Sequence, residues 1–194
     1  MKRTHTRLAM IFPALLLTAA FGATAQAQTG RPLSATPEAT PAAERTAVAP
    51  EITEDRNASA GMVIMLGKFA DKLTETCSAV DAPTRTLTET AMAGWNERNG
   101  NLVEAANRYF RFARADMLRR NGEDAANAFY EAQMPGFDEQ ASQELDRRLD
   151  GQASADGCKE VLDDAIAEHL DVRVMMPEVH DTVRAAMDEM YAPH

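Results

Sequence analysis

An all-α fold, a compact bundle of about six or seven helices with one disulfide, is what this sequence predicts, and three observations carry the expectation. From about residue 55 onward apolar residues recur at three- and four-residue steps, the spacing that lines one face of a helix. Alanine is frequent and β-branched residues are sparse, which favours helix over strand. Cys77 and Cys158, the two cysteines of the chain, fall on the inner faces of two of these helices, so a bridge between them would close a bundle rather than an open solenoid.

The elements follow in chain order. Residues 1–27 read as a cleavable secretory signal. Lys2, Arg3 and Arg7 form its positive start, and residues 8–21 form an apolar run shorter than the roughly 20 residues a membrane span needs. Ala25 and Ala27 supply the small-x-small pattern of a peptidase site, so cleavage is expected before Gln28. Residues 28–50 are rich in Ala, Thr and Pro and lack the large apolar groups that offset ordering entropy, the composition of a flexible linker. Residues 51–194 make the helical domain, of ordinary size for one domain.

Within it, a first helix near 55–80 aligns Met62, Met65, Leu66, Phe69, Leu73, Cys77 and Val80. A second begins around Pro83, groups Leu87, Ala91, Trp95 and Arg98, and is expected to stop at Asn99 and Gly100, a left-handed cap signal. A third turns Leu102, Ala106, Tyr109, Phe110, Ala113 and Met117 inward and ends at Asn121 and Gly122. A fourth, near 123–134, buries Ala126, Phe129 and Tyr130 before Pro135 and Gly136 break it. A fifth, near 138–149, offers Ala141, Leu145 and Leu149, and a sixth, near 158–170, aligns Cys158, Val161, Leu162, Ala165 and His169. Pro177 opens a seventh with Val179, His180, Val183, Met187 and Met190 on one face; residues 172–176 before it alternate at their start and read as extended. The similar runs at 105–110 and 125–130 are too closely spaced for a helical-hairpin repeat.

Charge and cysteine content narrow the function classes. The chain carries 20 Lys+Arg against 30 Asp+Glu, a net charge of −10, which becomes −13 once Lys2, Arg3 and Arg7 leave with the signal. Such a surface repels nucleic acid and anionic lipid. No stretch after the signal is long and apolar enough for stable membrane insertion. In an oxidising compartment an even cysteine count favours a Cys77–Cys158 disulfide, worth about 4 kcal/mol in the chain-entropy model. The expected location is the periplasm or the cell exterior.

No catalytic residue is assigned. The sequence holds no His-Glu-x-x-His, Glu-x-x-His pair, Gly-x-Ser-x-Gly elbow, phosphate loop or haem attachment site. The paired acids Asp138 and Glu139, and Asp163 and Asp164, fall on expected outer faces or at a helix start, where acids are solvated or complement the helix dipole. No cofactor or metal is assigned; Met176, His180, Met187 and Met190 form the stripe that a Cu(I) carrier would use, and gap-filling in the core is the competing reading. Trp95 and Arg98, three apart on one helix face, stack on each other or build a pocket corner with Trp95 as its anchor, and plain packing of Trp95 in the core is the competing reading. Arg108, Arg111 and Arg119 lie opposite an apolar stripe and offer a docking strip for an acidic partner or anionic ligand, or else pair with neighbouring acids. Together Trp95, Arg98, Arg108, Arg111 and Arg119 are the candidate partner or ligand surface.

Cys77, Leu87 and the run Trp95, Asn96, Glu97, Arg98, Asn99 resemble a pattern of small exported helical proteins of Gram-negative bacteria, in which a Cys precedes a Trp-x-x-Arg-Asn helix end and a second Cys follows. The resemblance implies export, helicity and a disulfide, and brings no activity or site residues. The functional expectation is an exported, non-enzymatic helical protein that binds a protein or envelope component. A small-ligand or copper carrier using the Met/His faces, and an enzyme using carboxylates in a cleft, are the alternatives.

Overall fold

A computed structural model describes residues 49–191. The expected signal, nearly all of the expected linker and residues 192–194 lie outside the described residues. Six helices follow one another: α1 (Glu54–Ser78), α2 (Ala82–Asn121), α3 (Glu123–Arg148), α4 (Ala155–Ile166), α5 (Val172–Met175) and α6 (Pro177–Met190). No strand occurs among the described residues. α1 opens at Thr53, whose hydroxyl accepts from the Arg56 amide, and α2 at Asp81, whose carboxylate accepts from the Thr84 amide 2.7 Å away; both satisfy first-turn donors that have no helical partner.

Two expected breakers fail, which merges the seven expected helices into five, and a short turn at Val172–Met175 adds the sixth. Asn99 and Gly100 lie in the middle of α2, a helix of 40 residues, and Pro135 and Gly136 lie inside α3. The expected second and third helices are therefore one, as are the fourth and fifth. Asn121 and Gly122 do end a helix: Gly122 takes φ +87°, a conformation only glycine adopts without strain, and there the chain turns directly into α3. Residues 172–176 are not extended; Val172–Met175 is a single helical turn whose amides from Val174 to Met176 bond back to Asp171 and Val172.

The core is continuous. Val63, Phe69, Leu73, Trp95, Ala106, Tyr109, Phe110, Leu145, Leu162, Val172, Val183 and Met190 are all buried in it. α1 packs on both α2 and α3, and its glycines allow the approach. A β-carbon on Gly67 would sit 2.8 Å from Val103 Cγ1 of α2, and one on Gly61 would sit 2.7 Å from Phe137 Cζ of α3. The disulfide joins Cys77, at the end of α1, to Cys158, at the start of α4, with 5.7 Å between α-carbons and both residues fully buried, as the two inner faces implied. It ties α4 to the body from which residues 149–154 separate it.

Two expected inward residues point outward. Tyr130 is 37% exposed, with the Arg114 guanidinium of α2 5.9 Å from its ring centroid. The His169 side chain is 66% exposed with its Nδ1 3.2 Å from Asp164 Oδ1, because α4 ends at Ile166 and His169 sits in the following loop rather than on the helix face.

Candidate functional site

The Trp-x-x-Arg-Asn run forms a clamp on the α4–α5 connection. The Trp95 indole, 2% exposed, donates to the Leu170 carbonyl at 3.0 Å. Arg98 grips Asp171 with two bonds, Nε to Oδ2 at 2.7 Å and Nη2 to Oδ1 at 3.2 Å, and Nη2 also donates to the Ala165 carbonyl at 2.8 Å. That last bond satisfies an end carbonyl of α4. Asn99 is 3% exposed; its amide nitrogen donates to Asp171 Oδ1 at 3.1 Å and to the Trp95 carbonyl, and its oxygen accepts from the Val172 amide at 3.0 Å. Arg98 does not stack on Trp95: its guanidinium is spent on Asp171, whose hydrogen bond raises the arginine pKa further above its ordinary value.

The cluster thus ties α2 to Ala165, Leu170, Asp171 and Val172, on both sides of the α4–α5 connection. Asp171, buried at 4% exposure, was not singled out by sequence reasoning. An acid followed by Val172 carries no local mark of burial; the partner that explains it is more than 70 residues away.

On the other side of Trp95 an open groove of about 360 Å³ runs along the α1–α2 crossing, lined by Gly67, Asp71, Asn96, Gly100, Val103 and Glu104 among others. At Gly100, where a β-carbon would meet nothing within 4 Å, no side chain fills it.

The expected arginine strip divides. Arg108 lies over the Tyr191 ring, 5.0 Å from its centroid, and packs against the end of α6. Arg119 bonds Asp116 at 2.8 Å, and Arg120 shares that carboxylate at 2.9 Å. Arg111 is exposed, three residues before Arg114, which sequence reasoning passed over. Arg114 donates to Asn127 Oδ1 at 2.7 Å and lies 5.9 Å from the Tyr130 ring centroid. The methionine stripe turns inward: Met190 is buried, and Met176 and Met187 pack against the core. His180 Nδ1 is 2.9 Å from Asp181 Oδ1. No group of three or more His, Cys, Asp or Glu converges on a common point among the described residues, and none of their helices is long and apolar enough to cross a membrane.

The most distinctive feature is where the helices stop. The Thr53 amide, one residue before α1, donates to the Tyr109 hydroxyl at 3.2 Å. Arg56 pairs with Glu189 of α6, and Tyr191 reaches Arg108. α1 therefore begins, and α6 ends, level with residues 108–109 of α2. α2 runs on to Asn121, about 18 Å further at the helical rise of 1.5 Å per residue, and α3 returns beside it. This pair of helices forms an arm. Ala113 and Ala126 are its buried contacts, Phe129 stacks on Phe110 at 6.1 Å, and Leu118, 45% exposed, and Tyr130 stand on its surface. Comparison with known proteins adds no family to this geometry: no family model matches the chain, nor does any curated protein or solved structure.

Proposed function

We propose that this is an exported, non-enzymatic interaction protein that works in the periplasm or outside the cell and meets its partner through the α2–α3 arm. The observation that carries the reading is the arm itself: a two-helix projection with Leu118 and Tyr130 on its surface and almost no core of its own. Large apolar side chains at such positions mark interaction surfaces when they cluster, and aromatic and arginine side chains are the favoured anchors there. The buried disulfide fits an oxidising compartment, and the leader-like residues 1–27 supply the route. The Trp95–Arg98 clamp supports the framework from which the arm projects.

Two measurements test this. Fractionation followed by thiol titration should recover the protein outside the cytoplasm with no free thiol and with Gln28 as its first residue; an intact leader on cytosolic protein with two titratable thiols defeats the export reading. A photo-crosslinking residue at Leu118 should give a discrete adduct in intact cells, while one at exposed Lys159 on α4 should not; equal labelling from both positions, or none from Leu118, removes the arm as the interaction surface.

A small-ligand carrier is the second reading, favoured by the groove beside Trp95 rather than by the methionine stripe. It requires a rise in melting temperature with a bound metabolite, abolished by filling the groove with Gly100→Leu; a flat response across a metabolite panel ends it.

A further inference from the structure

The groove beside Trp95 has a chemistry of its own, and from it we infer that its ligand is an aliphatic ammonium compound, a short diamine above all; the inference rests on the groove being a small-molecule site. Two carboxylates border it, Asp71 on α1 and Glu104 on α2, and among the described residues no Lys, Arg or His lines it. Neither carboxylate has a hydrogen bond or ion pair among the described residues, although each has a cation at pairing distance along its own helix. Lys68, three residues before Asp71, has the spacing of a helical ion pair. It turns instead, with Lys72, to Asp138 of α3, at 3.4 and 3.1 Å. Glu104 and Arg108 stand in the i, i+4 order that pairs well on a helix, but Arg108 lies over the Tyr191 ring. Contacts with α3 and with the end of α6 thus draw away the cations that would neutralise the groove.

What remains is a row of acceptors over an apolar floor. Asn107 spends its amide nitrogen on the Val103 carbonyl at 2.9 Å, so its oxygen is left to accept, and the exposed Asn96 amide brings a further oxygen. Two carboxylates repel an anion. A divalent metal lacks ligands, because no third His, Cys, Asp or Glu joins the pair among the described residues. A quaternary ammonium needs an open aromatic face, whereas Trp95 is 2% exposed and gives its N–H to the Leu170 carbonyl. A primary ammonium donates N–H bonds to acceptors of this kind, and its methylenes fit along Gly67, Gly100 and Val103.

The spacing favours two charges. Gly67 and Val103 are level, as their close approach requires. Asp71 is one turn beyond Gly67, and Glu104 is next to Val103, so the two carboxylates spring from levels about 6 Å apart along the groove. Both are exposed, where an ion pair is weak, and a dissociation constant of about 0.1–1 mM is expected at low salt. Added salt should weaken binding further.

The test is a titration of putrescine, a short aliphatic diamine, into the purified, disulfide-bonded protein, followed by amide NMR shifts. Saturable shifts centred on Gly67, Asn96 and Gly100 are expected. Asp71→Asn or Glu104→Gln should each weaken binding about three- to fivefold, and the double variant at least about tenfold. Gly100→Leu, which fills the groove, should abolish it. Glu160→Gln on α4, an exposed acid away from the groove, should leave the affinity within about twofold of the parent. Circular dichroism verifies that each variant keeps its helicity. No saturable shift up to about 10 mM putrescine at low salt overturns the inference. Equal losses in Asp71→Asn and Glu160→Gln overturn it too, since they mean diffuse attraction to an acidic surface, and so does tetramethylammonium or calcium bound as tightly as putrescine. If putrescine fails while a neutral or anionic metabolite raises the melting temperature and Gly100→Leu abolishes the rise, the groove stands as a small-molecule site for a different ligand; failure of both removes it as a site.

Discussion

Two Asn-Gly pairs lie on α2 and meet opposite fates. Asn121 and Gly122 end the helix, and Gly122 adopts φ +87°. Asn99 and Gly100 carry the same stop signal and leave the helix unbroken. The difference lies in what surrounds them. Asn99 is buried among Trp95, Asp171 and Val172, with both ends of its amide engaged at 3.0–3.1 Å, and those bonds form only while its backbone stays helical. Asn121 stands exposed at the tip of the arm, where nothing opposes the cap. Local chemistry decides where tertiary contacts are few, and is overruled where a buried polar network needs the side chain elsewhere.

The strongest way to break this contrast is to remove the network's centre. Asp171→Ala leaves Arg98 and Asn99 without their shared acceptor and should cost about 3 kcal/mol in urea unfolding, whereas Asn121→Ala should stay within about 0.5 kcal/mol. Equal losses at the two sites would show that the clamp is not what holds the helix through residues 99 and 100. Next in size is the other ignored breaker. Pro135 is exposed inside α3, so Pro135→Ala restores a helical donor and should stabilise the protein by about 1–3 kcal/mol; a loss would mean that the arm depends on a bend there.

The same substitution at the two glycines sharpens the comparison further. At Gly100 a β-carbon meets nothing within 4 Å, and Gly100→Ala should raise stability by about 0.5–1 kcal/mol. At Gly122 the backbone lies in a glycine-only region with ψ 175°, and Gly122→Ala should lower stability by about 1–2 kcal/mol. Thermal melts that move in the same direction would refute the assignment of the two roles.

The smallest effect concerns pH. Hydrogen bonds from Lys72 and Lys68 hold the Asp138 carboxyl below its ordinary range, and Arg56 does the same for Glu189. Each binds fewer protons folded than unfolded near its titration, so its contribution is present above the ordinary carboxylate range and lost as pH falls through the depressed value. Both pairs face solvent, so salt should screen the effect. The loss of stability between neutral pH and about pH 3 should shrink in Asp138→Asn; an unchanged slope rejects the Asp138 contribution.

Read without its structure, the chain already declares helices, their inward faces and the pairing of Cys77 with Cys158, because helical periodicity and two cysteines on inner faces are local marks. Leu73, Phe110, Leu145 and Val161 lie in the core where their spacing put them. The arginine strip was legible only in part: Arg111 and Arg119 lie on the surface, while Arg108 is drawn to Tyr191, and Arg114, which links α2 to Asn127 of α3, carried no local mark. Tertiary structure alone decided that α2 is one helix, that Asp171 is buried and that His169 is exposed, since each depends on partners distant in sequence. It alone decided the arm as well. Periodicity gives a helix its faces but not its neighbours, and the arm exists because α1 and α6 stop about 18 Å short of the end of α2, a matter of relative position on which no single segment carries information.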